Sequence, residues 1–114
     1  MRTFDENELL DRVGNDWEFL GDTARMLADD APGLLADVRR AVETGDAPLV
    51  GSAAHTLKGM ISNFCAPGAQ ASALAVEQMG KSGDLSNATA ALHELEANLN
   101  ALIVELTDYV ARRA

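Results

Sequence analysis

Apolar residues recur at spacings of three and four along most of the chain, which is the period of a helix that buries one face. The clearest run predicts a long amphipathic helix from about Leu85 to Arg112, and its apolar positions are Leu92, Leu95, Leu99, Leu102 and Leu106. Earlier segments with the same spacing predict further helices that begin near Asp5, Asp16, Leu34, Ala47 and Pro67. No stretch alternates with the period of a strand.

Capping and breaking residues divide these helices. Asp5, Asp16 (or Asn15) and Asp46 can each cap a helix, whereas Pro32 is expected to break or kink one. The segment "GKSGDLSN" is predicted to be a turn. Because the connections are short, successive long helices should be antiparallel neighbours. The sequence therefore predicts one all-α domain over residues 1–114, an antiparallel up-down four-helix bundle with a short N-terminal helix as a lid.

The net charge of the chain limits the kinds of partner that it can bind. The 114 residues carry a formal net charge of −9, with a pI of about 4.4, so nucleic acid and anionic membrane surfaces are repelled overall. No stretch approaches the roughly 20 apolar residues of a membrane span, and "MRTFDENELL" lacks the apolar core of a signal peptide. We expect a cytoplasmic, monomeric protein that binds another protein. The single cysteine, Cys65, is interpreted as a packing residue.

The segment "SAAHTLKGMISNF" places unusual residues on one face of the helix from Ala47 to Cys65. On a wheel of about 100° per residue, the face around His55 also carries Gly51, Ser52, Lys58, Gly59 and Ser62, while the opposite half is apolar. Glycine inside a helix costs about 1 kcal/mol relative to alanine. We expect the two glycines to leave a bare strip on which a partner protein closes over an exposed imidazole.

This face suits phosphoryl chemistry. A neutral imidazole has a lone pair on one ring nitrogen, so it can attack phosphorus without a separate base. Lys58 lies three residues later on the same face, where its ammonium can neutralise phosphoryl charge, and Ser52 and Ser62 can add hydrogen bonds. A metal ion is expected from the partner.

The stretch "AAHTLKGMISNFCA" resembles the signature of histidine-containing phosphotransfer (HPt) domains. The matching positions are Ala54, His55, Leu57, Lys58, Gly59, Phe64 and Ala66, and "DDAPGLLADVRRAVETGD" upstream is similar to a segment of the same family. Cys65 stands where the family usually has glycine. The resemblance implies a helical bundle that presents His55 as the phosphoryl acceptor. It also implies partners that are receiver domains of hybrid sensor kinases and response regulators.

Other chemistry is poorly supported by the sequence. His93 lies among acidic residues and is interpreted as a solvated surface residue. Two distant histidines and one cysteine do not make a metal site, so no metal or cofactor is expected on this chain, and Mg²⁺ is expected on the partner receiver. ATP-binding motifs are missing, which argues against an enzyme. The alternatives are the histidine-bearing domain of a chemotaxis-type kinase, phosphorylated by a separate ATP-binding domain, and a helical interaction module that is never phosphorylated.

Overall fold

A computed structural model describes residues 2–112, which form helices and no strand. The elements are α1 (Glu6–Arg12), α2 (Trp17–Thr44), α3 (Ala47–Ile61), a 3-10 turn (Ser62–Phe64), α4 (Pro67–Ser82) and α5 (Ala88–Ala111). Within these residues, none of the helices combines the length and the apolar character that crossing a bilayer requires.

Aspartate side chains start the first three helices, as the sequence predicts. The carboxylates of Asp5, Asp16 and Asp46 accept hydrogen bonds from the backbone N–H three residues later, at 3.0, 2.9 and 3.1 Å. Each bond satisfies a donor that a helix N-terminus otherwise leaves unpaired. Gly45 ends α2 with a φ of +72°, a conformation that glycine adopts without strain. Only Gly45 and Asp46 therefore separate α2 from α3.

Pro32 does not break its helix, so the predicted break is wrong. Helix α2 runs through 28 residues with an exposed Pro32 inside it, and no new helix begins at Leu34. A proline inside a helix disturbs only the turn that precedes it. The face of α2 that packs on the core is buried both before and after Pro32, through Leu27, Ala31 and Leu35. Continuous packing of this face outweighs one lost backbone hydrogen bond.

The segment predicted as a turn after Met79 also differs. Helix α4 continues through Gly80 and Lys81 to Ser82, and Gly83 ends it with a φ of +80°. Helix α5 begins at Ala88 rather than near Leu85. The helix predicted to run from Ala47 to Cys65 is too long, because α3 ends at Ile61 and a 3-10 turn follows it. Cys65 then adopts a φ of +54°, and the chain turns there toward α4. This backbone conformation explains why glycine suits that position.

The four long helices close around one core. Helix α2 packs against α3 and α5, and α4 packs against the same two helices from the opposite side. Helix α1 covers one end of the bundle, where Asp5 N donates to Cys65 O at 2.9 Å and Arg12 Nη1 donates to Ser62 O at 2.6 Å. The predicted up-down bundle with a short N-terminal lid is thus confirmed. In this arrangement α3 and α4 are neighbours, and their outer faces are exposed to solvent next to each other.

Candidate functional site

His55 projects from the middle of α3 into solvent. Its side chain is 66% exposed, while Ala54 and Leu57 beside it are fully buried. The helical period places these neighbours toward the core and His55 away from it. The predicted exposure of the imidazole is therefore confirmed.

The two glycines that flank His55 differ from each other. Gly59 is exposed, and a Cβ added to it would meet nothing within 4 Å, so this part of the bare strip is present. Gly51 is buried beneath α4, where it faces Gly80. The prediction that Gly51 belongs to an open strip is wrong, because the missing side chain is used for close contact between α3 and α4. A Cβ on Gly80 would overlap the backbone of Gly51 and lie 2.9 Å from Ala47 O.

This close approach brings a buried carboxylate to His55. Glu77 of α4 is fully buried, and its Oε2 lies 2.8 Å from His55 Nδ1. Lys81 Nζ lies 3.0 Å from the same oxygen. Lys58 Nζ lies 2.5 Å from Oε1 in an ion pair that lacks the direction of a hydrogen bond. One carboxylate thus connects the histidine to two ammonium groups.

The charge of Glu77 decides which imidazole nitrogen is free. The Lys58 ammonium, with help from Lys81 and His55 and against the effect of burial, lowers the pKa of Glu77 from 4.5 to about 2. At neutral pH the carboxylate is ionised and can only accept hydrogen bonds. His55 Nδ1 must therefore carry the proton in this contact. In the neutral ring the lone pair is then on Nε2.

The same carboxylate predicts an acid-sensitive stability. Because folding lowers the pKa of Glu77, its stabilisation is complete above pH 4.5 and is lost as the pH falls toward 2. We expect Glu77→Gln to reduce the free energy of unfolding by about 2 kcal/mol at pH 6. That difference from wild type should shrink between pH 4.5 and 2. Urea unfolding across this range measures it, with exposed Glu43→Gln as the control. A difference that stays constant with pH would contradict the ion-pair assignment.

The two predicted serine contacts have local partners. Ser52 Oγ donates to Leu49 O at 3.2 Å, and Ser62 Oγ donates to Gly59 O at 2.6 Å. Ser52 is exposed on α3, whereas Ser62 is half-buried in the 3-10 turn beyond the end of the helix. A serine hydroxyl that donates to a carbonyl can still accept a hydrogen bond, but it has no second proton to donate. Each serine would therefore have to leave its carbonyl to donate to a phosphoryl oxygen.

Sequence interpretation missed Glu77 and Lys81. Glu77 lies at helical spacing from Ala73, Val76 and Gly80, so it occupies the buried face of α4. An acidic residue on such a face requires a partner, and this was the available signal. The turn predicted at Lys81 is wrong, because Lys81 belongs to α4 and lies one helical turn after Glu77, where it forms an ion pair. His93 is exposed on α5, as predicted.

Comparisons with known proteins concern the family and the fold of the chain. The sequence matches the family model described as the Hpt domain over residues 22–105, which include His55, Lys58, Glu77 and Lys81. The fold is similar to the crystal structure of histidine-containing phosphotransfer protein B (HptB) from Pseudomonas aeruginosa PAO1, with a TM-score of 0.89 and 20% identity over 96% of each chain. A search of the curated proteins gives no match. At this identity the likeness to HptB concerns the fold.

Proposed function

The chain belongs to the Hpt domain family, the histidine phosphotransfer proteins of two-component signalling, and from this we propose that His55 carries a phosphoryl group between receiver-domain aspartates. The proposal assigns the chain the part of a phosphocarrier. The partner supplies the aspartyl phosphate, and this chain supplies the accepting nitrogen. A cytoplasmic location and a monomeric state fit this proposal.

The observation that carries the proposal is the hydrogen bond between a buried, ionised Glu77 and Nδ1 of an exposed His55. It fixes the ring with the Nε2 lone pair toward solvent. In the proposed transfer, Nε2 attacks phosphorus, the N–P bond forms, and the P–O bond to the aspartate breaks, so the aspartate leaves as a carboxylate. No proton moves, since Nδ1 keeps its own. The imidazolium that results is stabilised by Glu77.

Lys58 is proposed to neutralise part of the charge on the transferred group. Its side chain is 25% exposed, and its ammonium is held beside Glu77 Oε1. Charge on the phosphoryl oxygens in a loose transition state favours a fixed cation nearby. We propose that the Mg²⁺ that this chemistry uses resides on the receiver domain and not on this chain.

Docking is proposed to use the surface around His55. Gly59 gives a partner backbone room to approach, and Ser52 adds an exposed hydroxyl on α3. Ser62, half-buried in the 3-10 turn, is proposed to contact the partner only at the edge of this surface. Gly51 contributes indirectly, because its contact with Gly80 sets the distance between α3 and α4.

Phosphorylated receiver domains test the proposed function directly. The chain is incubated with a panel of them, and the expected product is an acid-labile, base-stable phosphate on this chain. A second arm supplies ATP and a separate chemotaxis-type kinase domain. Labelling only in the second arm would show that the chain is the histidine-bearing domain of a kinase and not a phosphocarrier. Absence of label in both arms would show that the chain is a helical interaction module that is not phosphorylated.

Lys58 gives a graded prediction. Lys58→Ala is expected to slow transfer from a phosphorylated receiver by roughly 10-fold, or about 1.4 kcal/mol of barrier, while Lys58→Arg retains most of the rate. Screening by salt should reduce the loss. Rapid-mixing time courses at low and high salt measure both effects. An alanine variant with wild-type rates at both ionic strengths would limit Lys58 to its ion pair with Glu77.

A further inference from the structure

Lys81 lies close enough to His55 to reach a group attached to it. Its Nζ is 3.0 Å from Glu77 Oε2, and His55 Nδ1 is 2.8 Å from that same oxygen. The two nitrogens are therefore separated by no more than the sum of these distances. The Lys81 side chain is 70% exposed on the last turn of α4, so its long stem is free to turn about its Cα.

The two lysines lie on different sides of the imidazole. An open groove of about 580 Å³ beside His55 is lined by both Lys81 and His55, together with Ser52 and the glycine contact between α3 and α4, and Lys58 is not part of its lining. Lys58 instead follows His55 by three residues along α3. A group on the ring is thus flanked by Lys81 on the groove side and by Lys58 on the other.

The distribution of cations along the sequence points to the same place. The chain contains only two lysines, Lys58 and Lys81, and both contact Glu77. One carboxylate cannot neutralise two ammonium groups, so the surroundings of His55 hold an excess positive charge on a chain of net charge −9. A phosphoryl group brings nearly two negative charges to this position. It competes with Glu77 for the more exposed ammonium.

We infer that Lys81 is a second phosphoryl-binding residue, which leaves Glu77 Oε2 and pairs with the phosphoryl oxygens on His55 Nε2. Lys58, which is more buried, stays near Glu77 and acts from the other side. Glu77 keeps its hydrogen bond to Nδ1, and that bond faces less competition once Lys81 has left. Lys81 transfers no proton. The inference rests on the proposed function, since it needs a phosphorylated His55.

Transfer kinetics provide the first test. Lys81→Ala is expected to slow transfer from a phosphorylated receiver about fivefold at low salt and about twofold at high salt, because an exposed ammonium is readily screened. Lys81→Arg should stay within about twofold of wild type, since it keeps the cation. The matched control is Arg112→Ala, which removes a 68% exposed cation that pairs with Asp108 at 3.0 Å with the same i, i+4 spacing. Equal rates for Lys81→Ala and wild type, or equal slowing by Arg112→Ala, would overturn the inference.

The presence of only two lysines makes a direct test possible. Protein labelled with ¹³C and ¹⁵N in lysine alone gives two side-chain ammonium signals, which Lys58→Arg and Lys81→Arg assign. Phosphorylation with phosphoramidate, a small donor, is expected to shift the Lys81 signal. Phosphorylated His55 with an unmoved Lys81 signal would overturn the inference alone. Failure of His55 to be phosphorylated by either phosphoramidate or any receiver would overturn the proposed function itself.

Discussion

His55→Gln is expected to abolish phosphoryl labelling of the chain by every donor. The amide nitrogen of glutamine has no available lone pair, so nothing replaces the Nε2 nucleophile. The fold should remain intact, because the His55 side chain is 66% exposed and a glutamine amide can still donate to Glu77. Labelling by phosphorylated receivers, followed on gels under alkaline conditions, measures the loss, and circular dichroism checks the helices.

His93→Gln is the matched control, since it removes the chain's other histidine from an exposed position on α5. This variant should label like wild type. Label that persists in His55→Gln and disappears in His93→Gln would move the acceptor to α5. The site of attachment on the ring adds a finer test. Heteronuclear NMR should find phosphorus on Nε2. Attachment to Nδ1 would contradict the role proposed for Glu77, which is to hold the proton on Nδ1.

Local sequence signals predicted the parts of the fold that depend on local physics. Asp5, Asp16 and Asp46 cap their helices because the capping bond spans three residues. His55 is exposed because the apolar half of α3 has no other place than the core. The break predicted at Pro32 is wrong for the complementary reason. The cost of a proline is local, whereas the packing that outweighs it involves the whole bundle.

The contacts of the candidate site could not be predicted from the sequence alone, because they depend on how the helices pack. The contact between His55 and Glu77 joins residues 22 positions apart, and their meeting depends on how closely α3 and α4 pack. A helical wheel of α3 alone places Gly51 near His55 and cannot place α4 over it. The exposure of His55 was therefore predictable, but not the carboxylate that contacts its Nδ1. The cost of glycine inside a helix marks Gly51 as unusual in the sequence, and the reason for it is the contact with Gly80 on the neighbouring helix.

Gly80→Ala is expected to destabilise the protein by about 3 kcal/mol, the upper part of the usual range for overpacking. The added Cβ would overlap the backbone of Gly51 and approach Ala47 O at 2.9 Å, and backbone atoms cannot turn aside as a flexible side chain does. Helices α3 and α4 must then separate. Urea unfolding monitored by circular dichroism gives the change.

Gly59→Ala is the control for helix propensity, because a Cβ there meets nothing within 4 Å. Gly59→Ala should stabilise α3 by up to about 1 kcal/mol. An unchanged stability for Gly80→Ala would contradict the close contact between the helices. Glu77 lies three residues before Gly80 on α4, so separating the helices also moves the carboxylate away from His55 Nδ1. The imidazole ¹⁵N shifts of Gly80→Ala should therefore report a mixture of tautomers, and those of Gly59→Ala should match wild type. A glycine without any chemistry of its own would then control the nucleophile through the spacing of two helices.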